Sequence, residues 1–311
     1  MGKMGILKTV KRSFCVRSLV LTVSLAAVSA QTGCCGTYAG SEDTAPESVA
    51  ESDRLVEEMR DLIRSKQYII HAGGEITNSS GKVKTVTNSR EAIENYLENG
   101  ESPFLEVDLS MTSDGAPVCI HSWKRCRLNG VALEEAPTLE EFQKIKVSGE
   151  FTPMTGDDLA GIMQDHPDIY VVTDVKEGYN ETCMTYFAET YPDLRNRFIV
   201  QIYHADEYDG IASLGYPYIL FTLYKTESEE HHVSVLRKFM KDHPLVAITF
   251  RAKDLKSKPW RRWLKKLNQD PGIPMLVHTL DDEDKIEEAF AYGVTGIYTN
   301  KLSPGGLPDA S

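Results

Sequence analysis

The chain has 311 residues, 41% of them hydrophobic and 26% charged, enough for two average domains or one large α/β barrel with a sizeable core. Its formal charge of -12 argues against nucleic acid or an anionic membrane surface as the main partner, since either rewards a basic face. The charge is uneven: residues 1–34 hold Lys3, Lys8, Lys11, Arg12 and Arg17 and no acid, so the remainder carries 29 basic against 46 acidic residues, a charge of -17.

That basic start precedes Ser18 to Ala30, an apolar run too short to span a bilayer comfortably and of the length of an export-signal core. Residues 1–34 are therefore expected to be a signal peptide or lipoprotein signal outside the fold, and the protein to be exported: secreted, periplasmic or held to a membrane through its amino terminus only. Val28-Ser29-Ala30 suits ordinary signal cleavage. Thr32-Gly33-Cys34 resembles the end of a lipobox, with Gln31 where leucine is usual, and an uncleaved anchor is the third alternative. Residues 35–58 are expected to be a flexible tether, because Gly36 to Asp53 is small, acidic and unpatterned. A barrel is expected over 59–303, with a tail at 304–311.

From Val56 onward apolar strand-like runs alternate with amphipathic helical ones. Strands are predicted at Tyr68–Ala72, Phe104–Ser110, Ile169–Val175, Phe198–Tyr203, Tyr218–Leu223, Leu245–Phe250, Pro274–Thr279 and Gly296–Thr299. Most are continuous apolar runs, which is how parallel strands buried on both faces read. Helices are predicted between them, among others at Ser89–Asn99, Thr155–Asp165, Glu181–Tyr191, Glu229–Asp242, Pro259–Asn268 and Asp281–Tyr292. Eight strand-helix units in about 250 residues match a (β/α)8 TIM barrel. Asp114 to Glu150 is then an excursion after strand two, with one helical turn near Thr138–Lys146. A doubly wound sheet competes, but no glycine-rich nucleotide fingerprint follows any strand.

Phe104 to Trp123, FLEVDLSMTSDGAPVCIHSW, carries the chemistry. Glu106 and Asp108 alternate onto one face of a strand that otherwise reads as buried. Two like charges that close repel and lose hydration, so a cation must compensate them. The Ser113-Asp114-Gly115 turn then returns the chain, and Val118 to Ile120 brings His121 beside the carboxylates. Strand one ends in His71-Ala72-Gly73-Gly74, putting an imidazole at the rim and, with Gly73, a backbone that a ligand can approach. Strand three ends Thr173-Asp174-Val175-Lys176, adding a third carboxylate and an ammonium. In a barrel these groups meet at the carboxyl ends of the strands. Glu106, Asp108 and Asp174 give a hard oxygen site for one divalent cation, Mg²⁺ or Ca²⁺. Lys176 would neutralise phosphate, and the two imidazoles, one neutral and one charged, would supply a base and an acid. Phosphodiester cleavage fits this set.

HAGG at 71–74, TNSREAIENYLENG at 87–100, the 104–123 stretch, VVTDVKE at 171–177 and GVTGIYTNKL at 293–302 resemble the glycerophosphodiester phosphodiesterase superfamily. The resemblance covers nearly everything after the tether. It implies a (β/α)8 barrel in which His71 and His121 are the acid-base pair, with His71 assigned as base and His121 as acid. It further implies that Glu106, Asp108 and Asp174 are metal ligands and that Lys176 binds phosphate. The expected reaction is hydrolysis of a small-molecule or lipid-derived glycerophosphodiester to glycerol phosphate and an alcohol. Several positions depart from the family. Ala72 stands where arginine is usual, Thr87-Asn88-Ser89 where Glu-Asn-Thr is, Asp174 where glutamate is, and Asn300 where aspartate is common. The Asp-x-Lys third strand and the cysteines flanking His121 are similar to sphingomyelinase D-like phospholipases, so lysophospholipid headgroup cleavage is the alternative. A glycosidase using Glu106 and Asp174 would leave both histidines and Lys176 idle, and Ala72 in place of the usual arginine makes a non-catalytic binding barrel the last alternative.

Cys119 and Cys126 flank His121 and could pair or stay free, while Cys183 reads as helix core. Tyr203, Tyr224 and His278 close strands four, five and seven and either line the pocket or plug the barrel. Trp260, Arg261, Arg262 and Trp263 form a basic aromatic patch that suits a phospholipid headgroup or one face of an amphipathic helix.

Overall fold

The structure, a computed structural model, describes residues 45–128, 131–176, 178–226, 232–269 and 272–309. The expected export signal and the first part of the expected tether lie outside the described residues. All eight predicted strands form: β1 (Tyr68–Ile70), β2 (Phe104–Met111), β3 (Tyr170–Val175), β4 (Phe198–Ile202), β5 (Tyr218–Thr222), β6 (Ala247–Arg251), β7 (Met275–His278) and β8 (Gly296–Thr299). Each pairs in parallel with the next, β1 also pairs with β8, and Ile70 opposite Leu105 closes the ring between β1 and β2. This is the expected TIM barrel.

Eight helices of seven or more residues are described: α1 (Ala45–Lys66), α2 (Arg90–Asn99), α3 (Gly156–Asp165), α4 (Asn180–Thr190), α5 (Glu207–Ser213), α6 (Val233–Asp242), α7 (Lys258–Gln269) and α8 (Glu283–Ala291). Side chains that point outward from the strands, such as Leu105, Val107 and Leu109, pack with Ile93, Leu159, Phe187, Leu264 and Ile286 of the helices. Helix α5 was not predicted; its sequence EYDGIAS is short and interrupted by Gly210, which lowers helix propensity. Glu207 nonetheless anchors its start by accepting from the Tyr203 N–H at 2.6 Å. The excursion after β2 begins with Pro117–Cys119, antiparallel to the end of β2 with Leu109 opposite Cys119. Its one helical turn, Leu139–Phe142, starts at a capping box of Thr138 and Glu141.

Helix α1 corrects the expected tether. The segment is helical from Ala45, and Val56, Met59 and Ile63 pack on Ile69, Phe104, Val172, Ile199 and Leu220 at the amino-terminal end of the strands. The barrel domain therefore includes this helix rather than starting at 59. The small acidic residues at 45–53 concealed it, because the apolar stripe at i, i+3 and i+7 starts only at Val56. Arg60 ties the helix to the floor by donating from Nε to Leu245 O at 2.8 Å. Met59→Ala or Ile63→Ala is expected to cost about 2–5 kcal/mol each in urea unfolding; unchanged stability would show that α1 is not part of the core. Among the described residues no helix is long and apolar enough to cross a membrane.

Cys119, Cys126 and Cys183 are free and buried. Cys119 belongs to the main core and Cys126 to a separate apolar cluster with Phe142 and Ile145 under the excursion, so the two thiols flanking His121 do not pair.

Candidate functional site

Inward-facing side chains change character from floor to rim. On β2 they run Phe104, Glu106, Asp108, on β3 Val172, Asp174, and on β7 Leu276, His278, because successive residues of a strand face opposite sides. The apolar lower half packs on α1, and the polar upper half has only the ligand side left to face. β2 and β3 lie in register with Asp108 opposite Asp174. One ligand atom from each of Glu106, Asp108 and Asp174 lies within 4.8 Å of the others, a spacing and an all-oxygen donor set that can hold a divalent cation.

Burying these carboxylates is costly, and named groups offset the cost. Asp108 is 0% and Glu106 3% exposed. Lys176 Nζ donates to Asp108 Oδ1 at 2.6 Å and lies 3.6 Å from Asp174 Oδ2. Asn88 Nδ2 donates to Asp108 Oδ2 at 2.8 Å, while the Asp108 N–H donates to Asn88 Oδ1 at 2.9 Å. The Ala72 N–H donates to Glu106 Oε2 at 2.6 Å. These partners are unequal, and so are the pKa values. Burial favours the neutral form of Asp108, but the Lys176 ammonium, His121 and the Asn88 hydrogen bond outweigh it and hold the pKa low. Burial and the charges of Asp108 and Asp174 push Glu106 well above the usual carboxylate range. Asp174 rises to about 6, through burial that its pairing with Lys176 only partly cancels. For Lys176, burial favours the neutral amine, yet Asp108 and Asp174 keep its pKa above the ordinary value. Without a cation the cluster therefore retains protons near neutrality.

His71 follows β1 at the start of a tight turn in which Ala72 has φ +51°. Its orientation is fixed from the opposite side of the ring seam. Asp281 accepts from Asn300 Nδ2 at 2.7 Å, from the Asn300 N–H at 2.7 Å and from the Thr299 hydroxyl at 2.8 Å. The Asn300 amide nitrogen is thereby committed, so its Oδ1 faces His71 Nδ1 at 3.0 Å and can only accept. Nδ1 must therefore be the donor, and in the neutral ring the lone pair sits on Nε2, 4.0 Å from Glu106 Oε2. His121 follows Pro117–Cys119, which pairs with the end of β2 on the edge away from β3, and the Ile120 N–H donates to Asp108 O at 2.9 Å and holds the hairpin against the carboxylate strand.

The structure brings both histidines to one cavity of about 170 Å³, lined also by Glu106, Asp174, Gln201, Tyr224, His278 and Tyr298. His121 and Lys176 also line a second, outer cleft of about 460 Å³ with Trp123, Glu134, Glu135 and Tyr179. A larger cleft than the inner one, about 380 Å³ between Leu62, Tyr96 and Tyr170, lies at the floor and contains none of the expected site residues. Of the expected wall residues, Tyr224 and His278 line the cavity, and the Tyr203 hydroxyl donates to Asp174 Oδ1.

His278 is packed edge-on to Tyr224 at 5.2 Å, with Nδ1 3.1 Å from Thr249 Oγ1. Burial, reinforced by His71, lowers its pKa from 6.5 to about 4. The unfolded chain then binds this proton more readily than the folded one, so stability falls as pH drops from 6.5 to about 4. The loss from this residue is expected to be about 3 kcal/mol. Denaturant unfolding at both ends of that window should show a smaller drop for His278→Gln than for wild type; equal drops would mean that the ring protonates freely in the fold.

Gly73 needs a correction. Its φ is +84°, and a Cβ there would meet Ala92 Cβ at 3.3 Å and Ile93 Cγ1 at 3.4 Å, so the glycine serves the turn and the close approach of α2, and it does not line the cavity. Asn88 and Asp281 are the residues whose roles the sequence did not disclose. Asn88 adopts φ +49°, a conformation asparagine tolerates better than most residues, and this aims its amide at Asp108.

A closed parallel barrel with carboxylates, imidazoles and an ammonium gathered at its carboxyl rim defines a TIM-barrel hydrolase. The chain belongs to the glycerophosphoryl diester phosphodiesterase family, whose sequence model matches residues 79–303, and is a phosphoric diester hydrolase. Among solved structures it is similar to a glycerophosphodiester phosphodiesterase from Parabacteroides distasonis, with 18% identity and a TM-score of 0.58 over 76% of this chain and 93% of that one. The corresponding enzyme from Thermotoga maritima shows 16% identity and a TM-score of 0.55 over 76% and 94%. A phosphodiesterase from Oleispira antarctica, solved in complex with the product sn-glycerol-3-phosphate, shows 14% identity and a TM-score of 0.55 over 75% and 92%. At these identities the likeness is one of fold. Comparison with curated proteins gives no match.

Proposed function

We propose that the protein hydrolyses a glycerophosphodiester to glycerol phosphate and an alcohol, using one divalent cation held by Glu106, Asp108 and Asp174. The observation that carries this reading is the convergence of three carboxylate oxygens within 4.8 Å beside a cavity that both histidines line. The cation would supply charge neutralisation for the non-bridging phosphate oxygens. Lys176, at the border of the outer cleft, would add a second positive charge on the phosphate side. In the neutral imidazole Asn300 places the proton on Nδ1, so His71 Nε2 takes the proton of the attacking water. As the new oxygen–phosphorus bond forms and the ester bond breaks, protonated His121 gives its proton to the departing alcohol oxygen.

The 170 Å³ inner cavity, with Gln201, Tyr224 and His278 on its wall, suits the glycerol hydroxyls, and the outer cleft suits the alcohol. The product complex of the Oleispira antarctica phosphodiesterase supports a glycerol phosphate in a barrel of this kind. The width of the outer cleft also favours a second reading, cleavage of a lysophospholipid whose larger portion lies there. The protein should be assayed with glycerophosphocholine and lysophosphatidylcholine side by side, with and without chelator. Release of glycerol phosphate from the first, lost on chelation, is expected; turnover of the second alone would replace the first reading with the second, and metal-independent turnover would end both. The amino-terminal residues support export, and mass spectrometry of the mature amino terminus would distinguish a processed protein from an anchored one.

A further inference from the structure

The exit of β6 carries an island of positive charge in an acidic protein. Between Arg251 and Lys266 there are eight lysines and arginines and one acid, Asp254, which leaves 26 basic against 45 acidic residues elsewhere in the chain. Two of the eight have partners: Arg251 Nε lies 3.1 Å from Asp254, and Arg261 donates to the Tyr292 hydroxyl at 2.7 Å. Lys253, Lys256, Lys258, Arg262, Lys265 and Lys266 are exposed, and among the described residues none is paired with a carboxylate. Six like charges along one short segment repel one another, so the fold gains nothing from them.

Apolar surface lies among these charges. Trp260 stacks on Phe250 at 5.5 Å and meets Trp263 at 5.0 Å, and both indoles stay half-buried. Val233 of α6 with Pro259 and Trp263 forms the apolar part of a groove of about 320 Å³ rimmed by Lys258, Arg262 and Lys266. The strip also begins at the mouth of the catalytic cavity, since the Arg251 guanidinium sits over the ring of Tyr224 at 5.8 Å. Indoles interleaved with lysine and arginine on an amphipathic helix suit the headgroup layer of a bilayer. A long nucleic acid would run off the strip onto the acidic remainder of the surface, whereas a bilayer touches one face only.

We propose that α7 and the loop before it dock on an anionic phospholipid surface and hold the mouth of the barrel at the membrane. This docking does not depend on which diester the site takes. The full chain would be sedimented with vesicles of phosphatidylcholine alone and of phosphatidylcholine mixed with phosphatidylglycerol. Wild type would be compared with Lys258→Glu/Arg262→Glu/Lys266→Glu and with the corresponding triple glutamine variant. Because all three proteins keep the same amino terminus, any binding by that segment cancels in the comparison. Wild type is expected to bind the anionic vesicles at least about tenfold more tightly than the glutamate variant at low salt, with the glutamine variant between them. The difference should close at about 0.5 M salt, and phosphatidylcholine vesicles should bind all three alike. Turnover of a water-soluble diester should be the same in all three, which also shows that the variants fold. Equal binding of wild type and the glutamate variant to anionic vesicles, no preference of wild type for them, or displacement from them by a DNA duplex at lower charge concentration would each overturn the proposal.

Discussion

His71→Ala and His121→Ala are each expected to lower kcat by about 10²- to 10⁴-fold, the ordinary worth of a positioned general acid or base. The two losses should differ in how they respond to the leaving group. A 4-nitrophenyl phosphodiester departs as a weakly basic phenolate that needs no proton, so it should largely rescue His121→Ala and leave His71→Ala impaired. That contrast follows from the fixed side of the pair: Asn300, held by Asp281, accepts from His71 Nδ1 and leaves Nε2 free to take a proton. Rescue of His71→Ala instead would invert the assignment. A loss below about threefold in either variant would remove that histidine from the mechanism.

Chelation is expected to abolish turnover and a divalent cation to restore it, while Asp174→Asn should bind the cation far more weakly yet be the more stable protein without it. Asp174 has its pKa raised from 3.8 to about 6, so the metal-free fold holds its ionised form at a penalty of up to about 3 kcal/mol near neutral pH. Asparagine can still accept from Tyr203 and carries no charge, so that penalty vanishes. In wild type the raised pKa values mean that the metal-free site takes up protons as pH falls through about 6, and the cation must displace them. Apparent affinity should fall by about tenfold per pH unit below that point for each proton displaced. Calorimetric titration with Mg²⁺ and Ca²⁺ at several pH values, with thermal unfolding of the metal-free proteins, measures both effects. A variant that binds as tightly as wild type, or that is less stable without metal, would remove Asp174 from the ion site.

Much of the barrel was legible because its strands are buried on both faces and therefore read as unbroken apolar runs. Glu106 and Asp108 stood out against that background, since a carboxylate inside such a run has no other reason to be there. Other residues were hidden for identifiable reasons. Asn88 sits in a loop, and nothing in sequence order shows that a left-handed turn sends its amide to a strand twenty residues on. Asp281 lies in the acidic string LDDED, where a structural carboxylate is indistinguishable from the usual negative start of a solvated helix. Gly73 was read as an opening toward ligand because glycine permits close approach, but sequence does not say from which side the approach comes. Helix α1 was missed because the barrel's need for a floor is a property of the closed ring, and local composition at 45–53 carries no trace of it.

The closing of β1 against β8 also sets when the protein can become active. Tyr68–Ile70 waits for Gly296–Thr299, strands separated by nearly the whole length of the fold, and the same meeting delivers Asn300 to His71. Until residues 296–300 have been made and docked, His71 is without the Asn300 amide that orients its ring, whatever has assembled earlier in the chain. Docking of β8 and orientation of the His71 ring are thus one event, and a stop codon at or before position 300 would leave that imidazole without its partner even if the preceding strands assembled.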